Sequence, residues 1–242
     1  MSAARRYLIT GGTSGIGRAV ASHLTGLGHQ VWITGTRISS VDAAFGEGVA
    51  AGGSVCDIVD RESVDRAFTE AVAALGSLDG VFANAGIDGQ GLPAESIDAD
   101  SFRQVLNVNV VGTLNTAQQA HATLSRPGVL VINASVNALR PELNFVDYNA
   151  SKAAALSVAS SLALEWSADG IAVIAICPGY FPSKMTAPFL SDPVISEELL
   201  GDIPAGRFGE PEEIGALLEF LLGPNSHYLT GAAIPIAGGR NL

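Results

Sequence analysis

The feature that most narrows the choice of fold is an end-to-end alternation of two kinds of segment. Short runs rich in β-branched and apolar residues recur along the chain as "RYLIT", "VWIT", "GSVC", "GVFAN", "GVLVINA", "IAVIAIC" and "AAIPI". Between most of them lie stretches of helical length and period, at residues 19–27, 63–75, 102–124, 150–166 and 212–222. The strands are apolar on both faces, so both faces must be covered. This predicts an α/β fold, a doubly wound parallel sheet with helices on both sides, whose ligands gather at the carboxyl ends of the strands. No repeat or linker interrupts the pattern, and residues 1–242 read as a single domain. The least regular stretch, "PGYFPSKMTAPFLSDPVISEELLGDIPAGRFGEP", predicts a long loop with one or two short helices, a substrate lid around residues 180–208.

Composition limits the function classes. The 242 residues are 48% hydrophobic, enough for a substantial core. With a formal net charge of −11 and only 13 lysines and arginines, the chain lacks the basic patch that nucleic acid or an anionic membrane requires. It suits a protein that handles small molecules, and an anionic cofactor must be held by local donors. Cys56 and Cys177 each end an apolar run and read as buried thiols of a reducing compartment. The opening "MSAARRYLITGG" has too short an apolar run for a signal peptide, and no run reaches transmembrane length, so a cytoplasmic location is expected. His23, His29, His121 and His227 lack metal-ligand spacing, and no metal is expected.

In "YLITGGTSGIGRAV", Gly11, Gly15 and Gly17 fall between the first strand and the first helix. Glycines there permit a tight turn, close approach of a pyrophosphate to backbone N–H groups, and close helix packing. Thr13, Ser14 and Ile16 complete the loop. An acidic residue at the end of the second strand commonly binds the adenosine ribose in NAD enzymes. Here "VWITGTR" places Gly35 at about that position, followed by Thr36 and Arg37. Without the carboxylate a 2′-phosphate is not repelled, and Arg37 can pair with it. NADP(H) is therefore favoured over NAD(H).

Four further groups bear on chemistry: "NAG" at 84–86, Asn109 in "LNVNVVG", Ser135 closing "VLVINAS", and Tyr148 with Lys152 in "DYNASK". Each alone has an ordinary structural reading as turn residue, helix cap or surface pair. Together they match what a carbonyl accepting hydride needs. Tyr148 can donate the proton if its pKa falls from about 10, and Lys152 lies one helical turn on, on the same face. A cation about 4 Å away is worth on the order of 4 kcal/mol at an effective dielectric of 20, so lysine is expected to lower the phenol's pKa toward neutral pH. Ser135 is expected to hold the substrate oxygen, and Asn109 to position a water that relays protons to Lys152. Asp147 reads as a helix-start residue rather than a third acid, and "GEPEE" as a helix N-terminus with Pro211 in its first turn.

Over essentially its whole length the chain resembles the classical short-chain dehydrogenase/reductase family. "TGGTSGIG", "NAG", "NVNVVG", Ser135 with Tyr148 thirteen residues later, "YNASK" and "CPG" fall in the family's order and approximate spacing. The resemblance implies a Rossmann-type fold, a homotetramer or homodimer, and Asn109, Ser135, Tyr148 and Lys152 as the catalytic set. It further implies that Lys152 binds the nicotinamide ribose and that Asp57 and Ile58 in "VCDI" meet the adenine. Asn84, Ala85 and Gly86 would lie along the cofactor. "PGYFPS", with Pro178, Gly179, Phe181 and Ser183, would hold the carboxamide, Ser183 standing where threonine is common. Ala237 stands where many members have aspartate.

Substrate is expected among the loop after "NAG", "VNALRPELNF" and the lid, in contact with Ser135, Asn137, Arg140, Phe145, Tyr148 and Tyr180. Asn137, Arg140, Glu142 and Asn144 make this wall polar. "PGYFPSKMT" and "IPAGRFGEPEEIGALLEFL" resemble the 3-oxoacyl-thioester reductase branch, a likeness shared by sugar, polyol and cyclic alcohol dehydrogenases. The expected activity is NADPH-dependent interconversion of a small-molecule ketone and a secondary alcohol. The competing readings are an NAD-dependent alcohol dehydrogenase and a non-catalytic cofactor-binding scaffold.

Overall fold

A computed structural model describes residues 4–183 and 186–242. Seven parallel strands form one sheet in the order β3-β2-β1-β4-β5-β6-β7. They are β1 (Arg6–Ile9), β2 (Gln30–Gly35), β3 (Gly52–Val55), β4 (Leu78–Ala83), β5 (Leu124–Asn133), β6 (Ile171–Pro178) and β7 (Ala233–Ile236). The helices are α1 (Gly15–Gly26), α2 (Ile38–Gly46), α3 (Arg61–Leu75), α4 (Ala99–Leu106), α5 (Thr113–Thr123), α6 (Val146–Trp166), α7 (Ala187–Leu190), α8 (Pro193–Gly201) and α9 (Pro211–Leu222). This is the doubly wound Rossmann-type arrangement expected from the alternation of segments. Among the described residues no helix is long and apolar enough to cross a membrane.

Strand side chains alternate between two separate cores. Leu8, Val81, Leu130, Ile132 and Val173 pack with Val64 and Phe68 of α3, Ala117 of α5 and Ala155 of α6. Tyr7, Ile9, Val131 and Ile174 pack with Val20 and Leu24 of α1 and Ile214 and Leu218 of α9. Each fully buried aliphatic side chain contributes about 1.5–3 kcal/mol, so the two cores fix the register of every central strand. Caps set where the helices start. Asp60 accepts from the Glu62 N–H (3.0 Å) at α3, and Asp98 from the Ser101 N–H (2.8 Å) at α4. "GEPEE" begins α9 as expected, with Pro211 in the first turn and Glu210 and Glu213 forming a capping box.

Two elements depart from the sequence reading. The single helix expected over 102–124 is α4 and α5 joined by a π-helical segment, Asn107–Gly112. The widened turn occurs where Gly112 meets Ile58; a Cβ there would sit 2.6 Å from the Ile58 side chain. Helix α6 begins at Val146, ahead of the expected residue 150, and carries Tyr148 and Lys152 together as expected. The irregular stretch after β6 holds two short helices, α7 and α8, as expected; its Lys184 and Met185 lie outside the described residues.

Candidate active site

Strand order reverses between β1 and β4, whose connections run to opposite edges of the sheet. The crevice this opens at the strand carboxyl ends is a cavity of about 740 Å³. One end is built by the glycine loop. Ser14 precedes α1 in extended conformation, no side chain caps the first turn, and no acidic residue lies in it. Its N–H groups are thus left for an anion. Gly17 is forced by contact, because a Cβ there would sit 2.4 Å from Asn84 Nδ2 and 2.5 Å from the Gly11 carbonyl. Asn84 in turn donates to the carbonyls of Thr10 (2.9 Å) and Gly11 (3.3 Å) and accepts from Asn133 Nδ2 (3.0 Å). The loop after β1 and the turn after β4 therefore form one rigid unit.

Gly11, Thr13, Ser14, Gly15, Ile16, Thr36, Asp57, Ile58, Asn84, Ala85 and Gly86 all line the cavity. So do Pro178, Gly179, Phe181 and Ser183. Gly17 and Arg37 are not on the wall: Gly17 packs behind it, and Arg37 is exposed just before α2, next to Thr36. The missing acid at the end of β2 has a steric reason, since a Cβ on Gly35 would lie 2.6 Å from Thr13 Cγ2. Asn133, unremarked in the sequence reading, also lines the cavity; its Oδ1 is buried without a hydrogen-bond partner among the described residues. A signal for it existed. Asn133 lies two residues before Ser135 at the end of β5, and period two puts both on one side.

Ser135, Tyr148 and Lys152 converge on this cavity. Lys152 is 5% exposed, and its Nζ donates to the Asn133 carbonyl (2.8 Å) and lies 5.6 Å from the Tyr148 ring centroid. Burial lowers its pKa to about 8. Tyr148 moves the opposite way from the sequence expectation. Burial, followed by the charge of Asp88, raises the phenol above its usual pKa, and a hydrogen bond with Ser135 offsets this only in part. The expectation treated Lys152 as a free cation about 4 Å away. Its charge is instead spent on the Asn133 carbonyl and is itself disfavoured by burial.

Asn109 also differs from expectation. It is 1% exposed and off the cavity wall. Its side chain accepts from the Ile87 N–H (2.8 Å) and donates to the Ile87 carbonyl (2.9 Å) and Ser151 Oγ (3.0 Å). Its carbonyl accepts from Thr113 Oγ1 (2.8 Å). In this structure Asn109 anchors the turn after β4, and its polar atoms are engaged with protein.

Of the expected substrate wall, Asn137, Phe145 and Tyr180 line the cavity. Arg140 does not; it turns outward to the Arg240 carbonyl (3.1 Å) and Asp202 (3.3 Å). Asn137 is held by Glu142 and Asn149, both at 3.1 Å. The Tyr180 hydroxyl donates to Glu142 (2.5 Å), and the Arg240 guanidinium carbon lies 5.1 Å from the Tyr180 ring centroid. Ile195, Glu198 and Leu199 of α8 close another part of the wall. Asp88 also lines the cavity, and only the fold brings the buried Arg240 beside Glu142 (3.7 Å).

A glycine-walled anion cradle at the switch point, continuous with a serine, a tyrosine and a buried lysine, defines a dinucleotide-dependent oxidoreductase. The family model described as enoyl-(acyl carrier protein) reductase matches residues 11–241. The 3-oxoacyl-[acyl-carrier-protein] reductase MabA of Mycobacterium tuberculosis is 32% identical over 240 residues, covering 98% of this chain and 93% of the relative. Among solved structures, the Pseudomonas aeruginosa RhlG/NADP active-site complex is 32% identical with TM-score 0.90, covering 99% of this chain and 97% of that one. A Brucella melitensis 3-ketoacyl-(acyl-carrier-protein) reductase complexed with NADH is 27% identical with TM-score 0.90, covering 98% of each chain. The chain belongs to the short-chain dehydrogenase/reductase family. The residues present fit the family's nicotinamide cofactor. The first turn of α1 offers uncapped N–H groups, and the orphaned Asn133 Oδ1 offers an acceptor beside Lys152.

Proposed function

We propose that the protein interconverts a ketone and a secondary alcohol with NADP(H), and that Tyr148 is the general acid and base. The observation that carries the reading is the meeting of Ser135, Tyr148 and Lys152 in the cavity that the glycine loop also lines. The bound nicotinamide supplies or accepts the hydride. Ser135 Oγ and the Tyr148 hydroxyl hold the carbonyl oxygen between them and stabilise the charge that develops on it. The raised pKa keeps the phenol protonated in the free site, the state needed to give a proton to an alkoxide. Lys152 holds the ribose, its ammonium directed by the Asn133 carbonyl (2.8 Å). Asn109 acts through the turn it anchors.

Cofactor choice rests on the end of β2. Gly35 leaves no carboxylate against a 2′-phosphate, Thr36 lines the cavity, and Arg37 is an exposed cation beside the start of α2. All three support NADP(H). We take residues 1–242 as one domain with α7 and α8 as a lid, in a cytoplasmic homotetramer or homodimer. The test is reduction of a ketone panel with NADPH and NADH, together with fluorescence titration of each cofactor. The reading expects turnover and tighter NADPH binding. A clear preference for NADH refutes the cofactor assignment, and tight cofactor binding without turnover of any ketone or alcohol refutes the activity.

A further inference from the structure

Besides Asp57 after β3, three carboxylates line the cavity, each from a different segment: Asp88 from the turn after β4, Glu142 from the loop before α6, and Glu198 from α8. Glu142 is engaged by Tyr180 (2.5 Å), Asn137 (3.1 Å) and Arg240 (3.7 Å). Asp88 is not. Among the described residues it takes one hydrogen bond, from the adjacent Gly89 N–H (2.9 Å), and no ion pair.

The position of Asp88 is fixed from both sides. On one side Asn109 holds both the N–H and the carbonyl of Ile87. On the other the fully buried Asp147 accepts from the Gln90 N–H (3.0 Å). Gly89 presses on the catalytic turn, where a Cβ would sit 2.3 Å from Asp147 Oδ1 and 3.1 Å from Tyr148 Cβ. A carboxylate is thus presented beside the phenol on a turn that cannot swing away. Burial, then the like charges of Glu142 and Asp147, raise its pKa against the opposing pull of the Gly89 N–H and the Lys152 charge. The charge of Lys152 reaches Asp88 without forming an ion pair, its ammonium being held by the Asn133 carbonyl (2.8 Å), so a charge-assisted hydrogen bond from a ligand would relieve the half-buried anion.

We infer that the substrate is an amino ketone, or the matching amino alcohol, whose protonated amine pairs with Asp88 while its oxygen meets Ser135 and Tyr148. This inference rests on the ketone and alcohol reading of the site. Glu142 is offset by Arg240 (3.7 Å), while Glu198 adds to the negative field of Asp88, which opposes a carboxylate or phosphate at the same end of the substrate.

The test compares kcat/KM for cyclohexanones bearing an ammonium, a methyl, a hydroxymethyl or a carboxylate group at C4, in the parent protein and in Asp88→Asn. The ammonium compound is expected to exceed the methyl compound by about tenfold or more, as a charged hydrogen bond allows, and the carboxylate to be the poorest. Asp88→Asn is expected to bring the ammonium-to-methyl ratio within about twofold of unity. Preference for the methyl or hydroxymethyl compound overturns the inference, as does an ammonium preference that survives Asp88→Asn. If none of the four is turned over, the ketone reading is decided by the wider panel of ketones and alcohols. The charge inference is then decided separately by the affinity of the cofactor-loaded protein for cyclohexylammonium and cyclohexanol: tenfold tighter ammonium binding supports it, and equal binding overturns it.

Discussion

Lys152→Met tests whether a functional cation is kept in the fold against a cost in stability. Folding lowers the lysine pKa from 10.5 to about 8 through burial. Below pH 8 both folded and unfolded chains carry the proton, and the desolvation penalty is fully present, about 3 kcal/mol. Between pH 8 and 10.5 the unfolded chain binds the proton and the folded chain releases it, so stability rises with pH across that window. Methionine removes the charge with little change in volume. It also leaves the Asn133 carbonyl without its 2.8 Å donor, a loss of about 1–2 kcal/mol. At pH 7 Lys152→Met should therefore be more stable than the parent by about 1–2 kcal/mol. By pH 10 the parent should gain about 2–3 kcal/mol relative to the variant, and the order should reverse. Urea unfolding followed by the fluorescence of Trp32 and Trp166, without cofactor and at one protein concentration, measures this double difference; other titrations cancel in it. A difference independent of pH refutes the reasoning.

Three further outcomes are expected. Gly17→Ala should cost about 1–3 kcal/mol and weaken cofactor binding, because its Cβ would overlap the Gly11 carbonyl and Asn84; thermal unfolding and cofactor titration check this. Arg37→Ala should weaken NADPH by about tenfold while NADH stays within about twofold, as loss of one phosphate pairing predicts; equal effects on both refute the role given to Arg37. Asp147→Ala should raise KM for the carbonyl compound by about tenfold with cofactor affinity unchanged, since it frees the Gln90 end of the Asp88 turn; steady-state kinetics with saturating cofactor decides.

Much of this was legible from residue spacing. Strand and helix alternation gave the doubly wound sheet because both core faces are written into the strands. Gly11, Gly15 and Gly17 marked the anion cradle because a turn at that site tolerates no side chain. Ser135, Tyr148 and Lys152 followed from hydride chemistry and helical period. Asn109 and Arg140 show where such reading stops. Each is a polar residue in the right segment, but its direction is set by partners distant in sequence: Ile87 and Ser151 for the first, Asp202 and Arg240 for the second. The pKa of Tyr148 is beyond the reach of spacing for a related reason. Spacing places a lysine near a phenol, but it does not reveal the buried surroundings, the Asn133 carbonyl or the Asp88 charge that decide the sign.

In the proposed mechanism one phenol transfers the proton in a hydride reaction whose cofactor is held by other groups. Tyr148→Phe removes a single oxygen and leaves the ring, the glycine loop and the Lys152 contact with Asn133 in place. Turnover and NADPH affinity should be measured side by side in this variant. Turnover should fall by about a thousandfold, within the range of general acid catalysis, while affinity stays within about threefold. Undiminished turnover with intact cofactor binding would contradict it.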